Sequence, residues 1–164
     1  MVGAGTWMGS GVHCIDLLRY VLGQEVVEVT AITDATEAEP LEHLATVLLR
    51  FQDGTLGTAV ASRRLPDSRN DVVIYGSYGR GEVRNSLLVD LQGEIEVATE
   101  RMNTMERYEP PDPLALFVDQ VQDFNAAVAS GAEPQASGWD GLKVAEVTIA
   151  MIESAKTGQR VRLP

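Results

Sequence analysis

Cysteine, aromatic rings and basic side chains are all scarce in this sequence. The single cysteine, Cys14, leaves no intramolecular disulfide to form, so a reducing, cytoplasmic setting is expected. Aromatic residues make up 5% of the chain, and a core must therefore be assembled from Val, Leu, Ile and Ala. Thirteen Lys and Arg face 24 Asp and Glu, a formal net charge of −11. Nucleic acid and anionic membrane surfaces both need a basic face, so neither is an expected partner. No apolar run approaches the roughly 18 residues of a membrane span. The N-terminus lacks the basic-then-apolar pattern of a secretory signal. The chain still has 164 residues, 45% of them hydrophobic and 23% charged, which is enough for one globular domain with its own core. Residues 1–164 are accordingly read as a single domain.

Glycine and small residues dominate positions 1–10, which read as a loop. Ser10 then sits where an N-cap would open a helix, with Val12, Ile15, Leu18 and Leu22 on one stripe and Gly23 as its stop. Strands are predicted at Val26–Thr33, Leu44–Phe51 and Leu56–Arg63, the last two joined by a tight Asp53–Gly54 turn. Further strands are expected at Val72–Tyr75 and Glu82–Leu88, and at Glu94–Thr99, where Ile and Val alternate with Glu. Met102–Pro113 contains Pro110, Pro111 and Pro113 and reads as a long loop, suited to folding over a ligand. Apolar stripes then predict helices over Leu114–Ala129 and Trp139–Lys156, and Arg160–Leu163 suits a short final strand. Hairpin-joined strands with helices grouped at the ends of the sequence make an α+β fold. It is an open, largely antiparallel or mixed sheet with helices on one face. The uncovered face implies a homo-oligomer formed through the sheet.

Two glycine clusters resemble phosphate-binding loops without meeting their requirements. Gly3-Ala4-Gly5 would need its third glycine at position 8, which is Met8, and only two residues precede Gly3. The Gly76–Gly81 cluster follows a strand, but another strand comes after it. No helix N-terminus is then present to hold a phosphate, and a turn between strands is expected.

Chemistry is carried by few residues. His13 and Asp16 are three apart near a helix start, so a carboxylate can orient an imidazole that takes a proton from a substrate hydroxyl. The same spacing also suits a hydrogen-bonded structural histidine. No metal site is expected: Cys14 points about 100° away from His13 on a helix, and His43 has no ligand spacing around it. Cys14 is better suited to a buried apolar role. Arg63, Arg64 and Arg69 flank Pro66 and offer fork-shaped donors for an anionic or polyhydroxyl ligand, although Asp67 and Asp71 could pair with them.

The run from Gly9 to Gly23 resembles the signature that opens the C-terminal domain of the glucose–fructose oxidoreductase, inositol dehydrogenase and MocA (Gfo/Idh/MocA) family. Phe51-Gln52-Asp53-Gly54-Thr55, Val73 to Gly79, and Asp140 through Gly158 to Val161 resemble that family's strand turn, glycine turn and closing helix and strand. The resemblance implies a longer protein whose Rossmann domain binds NAD(P), with this chain supplying substrate binding and oligomer contacts. It implies hydride transfer at a CH–OH carbon of a sugar or polyol, with His13 and Asp16 at the reacting hydroxyl. Two departures stand out. Many members carry an aspartate where this chain has Gly9, and the Glu-Lys-Pro motif with the family's catalytic lysine is absent. The chain alone is therefore expected to bind no cofactor and to be inactive, as a missing Rossmann domain would require. The alternative is a standalone, non-catalytic protein that dimerises or senses a sugar.

Overall fold

The computed structural model describes residues 5–66, 70–85, 94–101, 103–107 and 112–164. At 103, 105–107 and 113 it describes the backbone only. The chain divides into two compact units, Met1–Pro66 with Ala136–Pro164, and Asp67–Gln135.

The first unit carries an antiparallel sheet of β1 (Val26–Thr33), β2 (Leu44–Phe51), β3 (Leu56–Ser62) and β8 (Val161–Arg162), in the order β3-β2-β1-β8. Helices α1 (Val12–Leu22) and α3 (Gly138–Thr157) cover one face. Period-two alternation decides which side chains meet them. Val29 and Ala31, then Ala45, Val47, Leu49 and Phe51, then Ala59 and Ala61 turn inward against Ile15, Val147, Ala150 and Met151. Fully burying a Leu, Ile, Val, Phe or Met side chain contributes roughly 1.5–3 kcal/mol, so this cluster holds the unit together. The opposite face keeps Ile32, Leu48, Leu56 and Val60 exposed.

Local chemistry fixes the ends of these elements. Gly54, at φ +90°, makes the turn between β2 and β3, where Asp53 accepts from the Thr55 N–H. Gly23 and Gly158 close α1 and α3 in the left-handed conformation. Ser137 and Asp140 form a reciprocal capping box at the start of α3. Strand β8 pairs only with Glu28 and Val29, and the Ala31 N–H beyond it donates instead to the buried Ser154 hydroxyl at 2.9 Å. That satisfies a backbone donor an edge strand would otherwise strand in the core.

The second unit is an antiparallel meander, β4 (Val72–Gly76), β5 (Gly79–Arg84), β6 (Glu94–Thr99) and β7 (Asn103–Arg107), followed by α2 (Pro113–Ser130). Across β5 and β6, Glu82 stands opposite Glu96, and Arg80 and Arg84 reach both carboxylates. Like charges opposite one another are tolerated here because each has two guanidinium partners. Asp112 caps α2 by accepting from the Leu114 N–H, and Gly131 ends it.

The α+β, antiparallel class follows the sequence reading, but the strands divide between two sheets. The helix start differs as well. Ser10 is not an N-cap, because a π-helical segment, Trp7–Gly11, precedes α1 and turns part of the expected loop into helix. The Ser10 hydroxyl donates to the Thr6 carbonyl at 3.1 Å. The expected loop at Met102–Pro113 contains β7, whose backbone pairs with β6 from Glu94 to Ala98. Sheet pairing outweighed its polar composition, as context often does in strands. The strand expected at 82–88 starts earlier, at Gly79, and positions 86–88 lie outside the described residues. Ser77 and Tyr78 form a turn between strands, as expected of that glycine cluster.

Candidate functional site

The segment leading into α1 is held by a buried carboxylate. Glu42, just before β2, accepts from the Gly5 N–H at 2.6 Å and the Trp7 N–H at 2.9 Å, while its carbonyl accepts from Thr6 N–H at 2.9 Å. Three backbone donors of one turn are thus satisfied by a single residue. Trp7 is fully buried, and its ring lies where a side chain on Gly11 would project: a Cβ there would be 2.3 Å from the ring. This pairing of an indole with a glycine four residues on lets the π segment pack down on the sheet.

The helix start is then fixed in space and presents His13 to solvent. Asp16 is also exposed, but its carboxylate faces Arg19 at 3.6 Å. Among the described residues no hydrogen bond joins His13 to Asp16. The structure thus brings the two residues onto one turn without pairing them. Cys14 is half-buried and packs against the core, and its thiol lies 3.9 Å from the Ser10 carbonyl. Burial pushes the thiol above its usual range, away from the reactive thiolate.

Arg63 and Arg64 follow β3 and diverge in role. Arg64 is committed to the protein. It pairs with Asp34 at 3.1 Å and Glu39 at 3.2 Å, and it lies 3.2 Å from Nδ1 of His43. Asp34 in turn accepts from the Leu44 and His43 N–H groups, and these bonds, with the Arg64 charge, hold its carboxyl below the usual range. Arg63 instead extends over the π segment. A Cβ placed on Gly9 would be 3.0 Å from its Nη2. Gly9 lies in the π segment four residues before His13, and both are exposed. Arg69 lies outside the described residues. The Met102–Pro113 segment, expected beside the substrate, belongs to the second unit.

Sequence reasoning missed the anchors that hold this site. Arg19 is 7% exposed and donates to both oxygens of Glu25 at 2.7 Å, and it reaches Asp140 at 3.3 Å. Its guanidinium is the main cause of a lowered Glu25 pKa, and the Ser137 hydrogen bonds are the main cause of a lowered Asp140 pKa. The signals that existed were the Trp7/Gly11 spacing and the Ser137/Asp140 capping pattern.

One antiparallel sheet backed by α1 and α3 and a second antiparallel meander make an α+β architecture, with no parallel strand–glycine turn–helix unit among the described residues. The chain belongs to the GFO/IDH/MocA C-terminal domain family, whose model matches residues 1–82, half of its length. It is 30% identical over 99% of its length to a myo-inositol 2-dehydrogenase of Thermotoga maritima, of which it covers 50%. Two solved structures share its fold at a TM-score of 0.81. One is an aldose–aldose oxidoreductase of Caulobacter crescentus crystallised with glycerol, at 22% identity with 98% of this chain and 48% of that one covered. The other is a levoglucosan dehydrogenase in complex with NADH and L-sorbose, at 19% identity with 99% and 51% covered. The chain spans about half the length of the curated relatives it matches.

Proposed function

We propose that this chain is the substrate-binding and oligomerisation part of an NAD(P)-dependent oxidoreductase acting on the CH–OH group of a sugar or polyol. The observation that carries the reading is the exposed His13 at the head of a helix whose position is fixed by Glu42 and Trp7. Membership of a family with a myo-inositol dehydrogenase relative supports it. The nicotinamide, when bound, supplies the hydride acceptor for the carbinol carbon. This chain's part is to bind the polyol and take its hydroxyl proton at His13. Asp16 is one helical turn away, near enough to orient the imidazole once Arg19 releases it. Arg63 contacts the substrate's other oxygens, while Arg64 is held by Asp34 and Glu39. The exposed sheet face with Ile32, Leu48, Leu56 and Val60 is the oligomer contact, and the setting is cytoplasmic.

The test is an NMR titration of the chain with myo-inositol and with NADH. Saturable shifts clustered around His13, with none from millimolar NADH, are expected. Polyol shifts confined to other regions, or micromolar NADH binding, would overturn the proposal.

A further inference from the structure

We infer that the substrate carries an anionic group, a carboxylate or a phosphate, and that Arg63 beside Gly9 binds it. The inference rests on the sugar or polyol reading above and narrows it to acidic sugars.

Arg63 is set apart by what it lacks. In a chain with 24 acidic and 13 basic residues, an arginine finds carboxylates easily. In the first unit Arg19 pairs with Glu25, Arg64 with Asp34 and Glu39, and Arg50, Arg160 and Arg162 all with Glu28. Among the described residues the Arg63 guanidinium has no hydrogen-bond or ion-pair partner. Lys156 is also unpaired, but it lies in the last turn of α3, where the helix dipole accommodates a cation. Arg63 has no such compensation. Nearby acidic groups are already engaged: Asp34 and Glu39 with Arg64, and Glu42 with two backbone N–H groups.

Its position is specific as well. The backbone N–H of Arg63 donates to the His43 carbonyl at 2.9 Å, which anchors the residue to the start of β2. The guanidinium then lies against Gly9, with Nη2 3.0 Å from where a Cβ would stand. The missing side chain at position 9 therefore leaves no room-filling group and no counter-charge. Both residues are exposed, so a ligand can reach the guanidinium. Gly9 in the π segment and His13 in the first turn of α1 are four residues apart in the chain, which suits one small sugar acid whose acidic group and hydroxyl-bearing carbon are a few bonds apart. Two parallel N–H bonds from a guanidinium to an oxyanion are about twice as strong as bonds to neutral hydroxyls.

The experiment is a calorimetric or NMR titration of the 164-residue chain with gluconate, glucose 6-phosphate, glucose and myo-inositol, at low and high salt. At low salt an anionic sugar should bind about tenfold more tightly than its neutral counterpart, and salt should reduce the difference. The gluconate and phosphate arms identify which anion fits. Arg63→Gln should abolish the preference without changing the melting temperature. Gly9→Asp, which sets a carboxylate against the guanidinium, should abolish it too, while Gly9→Ala should keep it. Equal affinity for acidic and neutral sugars, or a preference that survives Arg63→Gln, would overturn the inference and leave the sugar reading standing. No saturable binding of any of the four would overturn both.

Discussion

Arg19 and Glu25 meet through two hydrogen bonds of 2.7 Å each, joining the end of α1 to the start of β1, with the guanidinium only 7% exposed. Removing the cation leaves Glu25 and Asp140, each about a third exposed, without their shared partner. Arg19→Met should destabilise the first unit by about 2–3 kcal/mol. Glu25→Gln should cost less, about 1–2 kcal/mol, because Asp140 and Asp16 still face the guanidinium. Urea unfolding of the three proteins should give that order; equal midpoints would show the network to be neutral.

Acid should weaken the same joint. Glu25, Asp140 and Asp34 all have lowered pKa values, Glu25 chiefly through Arg19, Asp140 through Ser137, and Asp34 through the Leu44 N–H. Below the ordinary carboxylate range the unfolded chain takes up protons that the folded chain still refuses. The stability these groups contribute is therefore complete above about pH 4 and is lost as pH falls through their lowered folded values. Melting temperature against pH should fall below that point, and Arg19→Met should show a shallower fall. An identical slope in the variant would contradict the assignment to Glu25.

Gly11→Ala is expected to be a damaging single-methyl change at the helix start. Its Cβ would stand 2.3 Å from a fully buried, rigid indole. Overpacking of this kind costs roughly 1–3 kcal/mol and should displace Trp7. Because Trp139 is exposed, the variant is best read in a Trp139→Phe background, where Trp7 is the sole tryptophan and can be excited selectively. A red-shifted native emission is expected; an unchanged spectrum and unfolding midpoint would mean that the segment shifts without strain.

His13 has no hydrogen-bond partner among the described residues and is exposed, so His13→Ala should leave the unfolding free energy within about 0.5 kcal/mol of its original value. In a polypeptide that joins this chain to a nicotinamide-binding domain, the same change should lower kcat about 100-fold or more. Turnover that persists unchanged would remove His13 from the site.

Leu48 lies centrally on the exposed sheet face, between Thr30 of β1 and Thr58 of β3. If the oligomer forms there, Leu48→Asp should shift the sedimentation profile towards monomer without altering the circular dichroism spectrum. A profile that does not change would place any association elsewhere.

Much of this architecture is written in short-range patterns. The bounds of β1, β2 and β6 follow from β-branched runs and alternation, and Gly23, Gly131 and Gly158 end their helices because only a residue without a Cβ takes a left-handed φ cheaply. The Asp53–Gly54 turn is legible for the same reason. The run from Gly9 to Gly23 resembles the family signature, and that resemblance singles out His13 as a candidate before any fold is known. Other features depend on partners remote in sequence. Strand β7 exists because β6 offers it hydrogen bonds, and a polar, proline-flanked stretch carries no sign of that. The helix begins at Trp7 instead of Ser10 because Glu42, 35 residues on, satisfies the donors ahead of it. Tertiary structure also separates Arg63 from Arg64. Adjacent in sequence and identical in type, one is neutralised by Asp34 and Glu39, while the other is left charged against Gly9, because charge pairing is set by distances in space.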